Sequence, residues 1–491
     1  MRFNRLVPFL ALLAVFIMAV QPSVDTDSWW HLRTGAWIVE NGEILKADPF
    51  SLTRQGQSWE YPGWIAQIVL YLIFNQFSFA GLNIFTAIMV LMAFAFLWAA
   101  LEGRGLLKTF VILLAAAASG IYWSARPQII TFALTGISVY IMEGAKKGDL
   151  KRIWLMPILM AFWVNIHGGF AIGFLLIGLY FISDVAEIVF AKLIRSQPIT
   201  MTWQGRKRYL TTLCLIGIVS VFTSMLNPLG PKILLYPFET LSIGTLQEYI
   251  AEWQPPDFQS IEIQPFILLL FLTFFALSLS NRKREVSDFL IVGLFGYMSL
   301  LAVRNVSLFA LTTAPVLSRH LDSGLQPIFE RFRSRQELPK RLSYSINLLL
   351  AVLLTFAGFL QIALQLSDQE NIEQIGEQIP LEAFEYIREN KPPGPIFNSY
   401  NWGGYVLWDL YPEYLSFVDG RTDLFQDEIL DEYIRVWLAE PGWEEFLEEW
   451  EIRLVLLETR SPLANAMVGE DWVVEYQDEQ AIILGRNLTN P

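Results

Sequence analysis

Val24-Asp25-Thr26-Asp27-Ser28-Trp29-Trp30-His31 begins where an apolar run, roughly residues 6–22, ends. The run approaches the ~20 apolar residues that a membrane-spanning helix needs. It follows Arg2 and Arg5, as a signal peptide would, but Ala19-Val20-Gln21 is a poor cleavage site, so it reads as an uncleaved first span. Two carboxylates two residues apart, followed by paired tryptophans that suit a membrane–water boundary, then stand at the end of that span.

Composition carries the same reading through the whole chain. Of 491 residues, 54% are hydrophobic and only 17% charged, and the mean hydropathy is +0.40. Soluble domains are about 25% charged. Disordered, collagen-like and disulfide-rich classes are excluded, and the single cysteine, Cys214, forms no intrachain disulfide. The net charge of −13 is unevenly placed. From Leu366 to Pro491 there are 27 acidic and 7 basic residues, whereas residues 1–365 hold 21 acidic and 28 basic. A slightly basic membrane body (1–365) therefore precedes an acidic, water-soluble tail (366–491), and neither half suits nucleic acid.

Hydropathy predicts a polytopic α-helical protein of about eleven spans: 6–22, 81–101, 106–123, 127–143, 153–166, 170–190, 209–226, 263–280, 287–303, 305–320 and 343–365. Trp64–Phe77 is ambiguous, because 14 residues rise only about 21 Å as a helix. If it does not cross, 22 of the basic residues of the body collect on one side and 6 on the other; if it crosses, the bias reverses. The positive-inside rule places Trp64–Phe77 in the interface. The amino terminus is then cytoplasmic. The first loop (23–63), a second large loop (227–262) and the tail are outside.

Chemistry-bearing residues concentrate on that outer face. Asp25 and Asp27 can clasp one divalent cation, since Mg²⁺ and Mn²⁺ take oxygen ligands and leave positions for a substrate phosphate. One of them can instead accept a proton from an attacking hydroxyl. Helix N-capping by Asp27 or Ser28 explains the same residues without chemistry. His31 falls one helical turn beyond Asp27. Arg126 and Arg304 stand at outer span ends, against the charge bias; guanidinium is a natural phosphate clamp, and snorkelling to lipid headgroups is the alternative. Asn165-Ile166-His167-Gly168-Gly169 breaks an apolar run with a tight turn that presents a titratable imidazole. In the second loop, Glu252, Trp253 and Asp257 sit among prolines and aromatics, as in a lid over a cavity or an interfacial aromatic belt. His320 is read as structural.

The tail alternates helices and strands: a helix near Leu381–Glu389, strand Pro395–Asn398, a helix through Tyr405–Leu410, strand Leu415–Val418, helices 427–438 and 442–450, and strands Arg453–Glu458, Trp472–Tyr476 and Ala481–Leu484. This predicts a small three-layer α/β domain. Dinucleotide and P-loop signatures are absent. Asn401, Trp402, Asp419 and Arg421, with Asp423, can form a polar recognition site, although capping and turn chemistry account for them equally.

Asp25-Thr26-Asp27-Ser28-Trp29-Trp30-His31-Leu32, Asp48-Pro49-Phe50-Ser51, Arg126-Pro127-Gln128, Asn165-Ile166-His167-Gly168-Gly169, Glu252-Trp253-Gln254, Asn401-Trp402-Gly403-Gly404-Tyr405 and Asp419-Gly420-Arg421 together resemble the GT-C superfamily of membrane glycosyltransferases. They look most like a group of bacterial membrane proteins described as GT-C-like or protein-mannosyltransferase-like. The resemblance covers nearly the whole chain. It implies sugar transfer from a polyprenyl-phosphate carrier at the outer face of a bacterial cytoplasmic (inner) membrane, to a glycan, lipid or protein acceptor. It makes Asp25 and Asp27 the catalytic or cation-binding pair, and Arg126 and Arg304 the holders of the carrier phosphate. The tail motif is similar to the acceptor-recognition motif of oligosaccharyltransferases but lacks its adjacent Trp-Trp-Asp, which speaks against a peptide acceptor. A lipid-linked glycan transporter or a non-catalytic envelope assembly protein are the competing readings. Against the transporter, the charged residues of the body cluster at span ends rather than at the midplane.

Overall fold

The computed structural model describes residues 3–194, 203–332, 340–467, 469 and 471–487. Arg2 and part of the connector expected over 322–342 lie outside the described residues. The body is a bundle of helices: α1 (Phe3–Ala19), α2 (Ser28–Asn41), α3 (Trp64–Ala100), α4 (Gly105–Ser119), α5 (Pro127–Lys146), α6 (Leu155–Trp163), α7 (Ala171–Ile194), α8 (Trp203–Ser224), the short α9 (Tyr236–Leu241) and α10 (Gly244–Tyr249), then α11 (Gln264–Leu279), α12 (Val286–Leu301), α13 (Val306–Phe332) and α14 (Lys340–Gln365). Each of the eleven expected spans coincides with a helix. Among the described residues, six stretches are long and apolar enough to cross a bilayer: Trp64–Ala100, Gly105–Tyr122, Pro127–Lys146, Gly168–Phe190, Ile261–Leu279 and Leu348–Gln365. The expected span 153–166 is shorter than predicted. Its helical part, Arg152–Trp163, rises about 18 Å, because Asn165-Ile166-His167-Gly168 turns the chain early.

Trp64–Phe77 is set apart inside α3 by a break at Ser78, whose φ of 52° and ψ of −150° leave the helix. On its far side, Phe79–Ala100 packs into the bundle core through Ala87, Val90, Phe94 and Leu97. On its near side, Leu70, Ile73 and Phe74 share a core with Trp29, Leu32 and the tail. Gly35 of α2 permits that contact, since a Cβ there would lie 2.2 Å from the Gln67 carbonyl oxygen.

The tail follows as α15 (Asp368–Gln378), α16 (Leu381–Asn390), β1 (Ile396–Asn398), α17 (Tyr400–Tyr405) continuing as a wider turn to Leu410, α18 (Thr422–Trp437), α19 (Trp443–Glu449), β2 (Leu454–Glu458), α20 (Pro462–Met467), β3 (Trp472–Gln477) and β4 (Ala481–Arg486). The sheet order is β1-β2-β4-β3, with β1 parallel to β2 and the other pairs antiparallel. Strand side chains alternate between faces. Ile396, Leu454, Leu456 and Ile483 meet α16 and α17 on one side; Phe397, Val455, Leu457 and Ile482 meet α18 and α19 on the other. Both faces are covered, so β2 and β4 are apolar along nearly their whole length.

Leu415–Val418, expected as a strand, is not part of the sheet. Asn398 occupies the hydrogen-bonding groups of the segment, accepting from Phe417 N at 2.7 Å and donating to Val418 O at 2.9 Å. The segment instead meets the first loop: Ser416 O accepts from Leu52 N, and Ser416 N donates to Phe50 O. The first loop and the tail thus share one core, with Trp30, Leu45, Phe50 and Trp59 packed among Phe397, Phe417, Leu424 and Phe425.

A fully buried ion cluster joins the two. Arg421 Nη1 bonds Asp48 Oδ1 at 2.5 Å, and Arg421 Nη2 bonds Asp419 Oδ2 at 2.7 Å, all three side chains being sealed from solvent. Asp48 also accepts from the backbone of Phe50 and Ser51. Removing one member of such a cluster strands uncompensated charge. Arg421→Met is expected to lose about 3–5 kcal/mol of stability, read as a large drop in thermal midpoint of the purified protein, whereas substituting exposed Arg435 should leave the midpoint nearly unchanged.

Candidate active site

The carboxylates of the first loop are placed by α2. Asp25 Oδ1 accepts from Ser28 N and Ser28 Oγ at 3.0 Å, which holds the loop at the start of the helix. Asp27 precedes α2 but makes no side-chain capping bond, so its carboxyl is free for other partners. Arg126 lies just before α5, where Pro127 opens the helix. Its guanidinium is shared by three carboxylates. Nε stands 3.0 Å from Asp25 Oδ2, Nη1 bonds Asp27 Oδ2 at 2.5 Å, and Nη2 bonds Glu252 of the second loop.

These groups line a cavity of about 640 Å³ between the body, the second loop and the tail. His31, His167, Trp253, Arg304 and Asn401 open onto it as well. Arg304 differs from Arg126. Among the described residues it makes no ion pair; its guanidinium lies 4.4 Å over the ring of Trp253, and Nη2 reaches Tyr122 Oη at 3.4 Å. The cavity therefore holds one neutralised guanidinium and one whose charge is uncommitted.

Burial decides the ionisation. Asp27 keeps 32% of its side-chain surface open to the cavity but sits deep in the protein. Desolvation outweighs Arg126, and with Asp25 and Glu252 adding like charge, its carboxyl is pushed up to about 7. Glu252 stays below the usual carboxylate range: its burial is outweighed by Arg126 and Arg304. Both imidazoles are neutral. Burial, reinforced by Arg126, holds His31 well below its ordinary value, and burial with the two arginines pushes His167 down to about 3. His167 Nδ1 accepts from Gly169 N at 3.1 Å, so its proton rides on Nε2.

Other expected residues lie elsewhere. Asn165 braces the turn: Oδ1 accepts from Trp64 Nε1 and Asn227 Nδ2, and the residue does not line the cavity. Asp257 caps the exposed turn at Gln259. Trp402 is buried against the sheet, with Nε1 donating to Gln378 O. Asp419 and Arg421 belong to the buried cluster with Asp48. Of the expected tail residues, only Asn401 faces the cavity.

The tail motifs act on the carboxylates from behind. A Cβ on Gly420 would come within 1.9 Å of Asp27 Oδ1 and 3.0 Å of Trp30 Nε1. A Cβ on Gly404 would come within 2.7 Å of Thr26 O, and one on Gly403 within 2.0 Å of Val418 O. Asn401-Trp402-Gly403-Gly404 and Asp419-Gly420-Arg421 are thus close-approach surfaces against which Asp25-Thr26-Asp27 rests. Tyr61, Tyr122 and Tyr400 were not anticipated as cavity residues; Tyr61 and Tyr400 line the main cavity, and Tyr122 an adjoining one. The second loop is pinned by the tail: Asp427 accepts from Gly244 N, Thr245 N and Thr245 Oγ1, and Asp423 accepts from Tyr236 Oη at 3.1 Å.

A divalent cation does not fit this arrangement. The guanidinium of Arg126 already occupies the space between the three carboxylates, and among the described residues no cluster of three His, Cys, Asp or Glu side chains could hold a metal.

No protein-family model and no curated protein matches the chain. Solved structures do. The apo oligosaccharyltransferase of Archaeoglobus fulgidus superimposes with a TM-score of 0.54 at 12% identity, over 99% of this chain and 74% of that one. ArnT from Cupriavidus metallidurans bound to undecaprenyl phosphate superimposes with a TM-score of 0.53 at 13% identity, over 100% and 99% of the two chains. Its apo form gives 0.51 at 12% identity, over 98% and 97%. The fold is GT-C-like. Both body and tail lie within the matched span.

The upward shift of the Asp27 carboxyl is directly measurable. Infrared titration of the purified protein should show one carboxyl deprotonating near pH 7, a signal absent from Asp27→Asn and retained in Asp257→Asn.

Proposed function

We propose that this protein transfers a sugar from a polyprenyl-phosphate carrier to an acceptor hydroxyl at the outer face of a bacterial cytoplasmic membrane. The observation that carries the reading is the cavity that holds a buried carboxylate poised near neutrality and an uncommitted guanidinium together. The GT-C-like fold supports the class of reaction, and the neighbour bound to undecaprenyl phosphate supports the class of carrier.

In this reading, ionised Asp27 takes the proton of the acceptor hydroxyl as its oxygen attacks the anomeric carbon. The bond from that carbon to the carrier phosphate oxygen breaks, and the polyprenyl phosphate leaves with the electron pair. A single displacement inverts the anomeric centre. Arg304, stacked on Trp253, pairs with the charge that develops on the leaving phosphate. Arg126 has a different part from the one the sequence suggested. It holds Asp25, Asp27 and Glu252 together and sets their charge, and the phosphate contact falls to Arg304. Neutral His31 and His167 supply hydrogen bonds without adding charge.

The base must be ionised, so turnover should rise with pH through about 7 and level off above it. Asp27→Asn should lower turnover by about 10²–10⁴-fold and abolish the pH step, measured as release of polyprenyl phosphate and as loss of one product from the envelope glycan profile. A variant with normal glycans and normal expression would overturn the reading.

Arg304→Lys loses the planar two-pronged contact and should lower turnover by about 10²–10³-fold with the thermal midpoint unchanged. Chelator-treated protein should keep full activity, because the arginine stands where a cation would. Loss of activity on chelation, restored by Mg²⁺ or Mn²⁺, would assign Asp25 and Asp27 to a metal instead.

A further inference from the structure

The cavity that holds the first-loop carboxylates does not end at them. It continues between the tail and the second loop to Trp437, at the end of α18, and Glu458, at the end of β2. Helix α17 sets the spacing along one wall. Ser399, just before the helix, donates to Glu458, and a Cβ on Gly404, five residues on, would meet Thr26 O. The two ends of this wall are therefore about 8 Å apart at the rise of a helix.

Charge is unevenly matched along the cavity. Among the described residues its charged lining is Asp25, Asp27, Glu252, Arg126, Arg304 and Glu458. Arg126 is shared by the first three, and Arg304 answers the carrier phosphate in the reading above. Glu458 has no cation. It is half-buried, and its carboxylate accepts from two neutral donors, Ser399 Oγ at 2.5 Å and Trp437 Nε1 at 3.4 Å. A carboxylate can accept about four hydrogen bonds, so about half of that capacity is unused. Two further polar groups line this end, the Tyr400 hydroxyl and the Asn401 amide, and among the described residues neither has a hydrogen-bond partner. The walls between them are aromatic and apolar, formed by the rings of Tyr400 and Trp437 with Leu430 and Ile434 of α18.

We propose, resting on the transferase reading, that this end of the cavity binds the acceptor and that the acceptor is an uncharged glycan. A sugar ring has C–H faces that pack on aromatic rings, and hydroxyls around its rim that a carboxylate and an amide bind. Neighbouring hydroxyls of the glycan donate to Glu458, another bonds Asn401, and the hydroxyl that reacts reaches Asp27. An acceptor carrying phosphate or uronate would set its charge against Glu458, with Arg126 and Arg304 both engaged, and like charges brought together in a binding site are strongly disfavoured. An acyl chain would cover Glu458 and offer it no donor, leaving a carboxylate desolvated and unmatched.

The test starts from the envelope product that Asp27→Asn removes. That product is isolated from cells making the native protein, and the unit bearing the new linkage is identified by mass spectrometry and linkage analysis. It should be an uncharged sugar. A phosphorylated or uronate unit, a serine or threonine, or a lipid hydroxyl in that place would overturn the proposal and leave the transferase reading intact. A profile unchanged by Asp27→Asn would overturn the transferase reading itself, and the proposal with it. The glycan so identified is then used as acceptor for the purified full-length protein. Glu458→Gln should raise the acceptor KM about tenfold, the loss of roughly one hydrogen bond to a charged group. Asn401→Ala, at an exposed position, should raise it by a smaller factor, with the thermal midpoint unchanged. An acceptor KM indifferent to both substitutions would overturn the placement of the acceptor at this end of the cavity.

Discussion

One guanidinium organises the cavity end of this molecule. Arg126 is reached by Asp25 and Asp27 from the first loop and by Glu252 from the second, three segments that share no secondary structure. Without it, three carboxylates could not be brought together away from water, since like charges at this distance repel and each pays for desolvation. With it, the three divide into different states. Glu252 is held below the usual carboxylate range, and the carboxyl of Asp27 is pushed up to about 7. One positive charge shared among three acids therefore leaves an excess of negative charge, and Asp27 absorbs that excess by holding its proton more tightly.

Much of the architecture is legible in the sequence because its causes are local. Apolar runs of fixed length and the alternation of helix and strand each act over a few residues, and the helices fall where those patterns put them. The break at Ser78 fits the shortness of the Trp64–Phe77 run. The one misread strand, Leu415–Val418, has a strand's composition but loses its ladder positions to the Asn398 side chain, a contact no periodicity encodes.

The site is legible in part, and the division is physical. Arg126 and Arg304 oppose a visible charge bias, and Asp25 and Asp27 are paired carboxylates at the end of an apolar run, so the four stand out from the linear pattern of hydropathy and charge alone. The tail residues Trp402, Asp419 and Arg421 carry recognisable chemistry too, yet that chemistry is spent on packing and on a sealed ion cluster. The residues of those motifs that touch the site most closely are the glycines, which announce nothing except the absence of a side chain. Gly420 against Asp27 and Gly404 against Thr26 are legible only once two segments far apart in sequence are seen in contact.

That distance has a consequence for how the molecule comes into being. Asp48 and Arg421, which close the shared core of first loop and tail, are 373 residues apart in the chain. At a synthesis rate of about 5–20 residues per second, the first loop waits for about 20–75 s before its partner exists. Throughout that interval Asp27 has no Gly420 behind it, and the sealed ion cluster is an open, hydrated carboxylate. The cavity arrangement therefore cannot form on a nascent or truncated chain. Its assembly is timed by the tail.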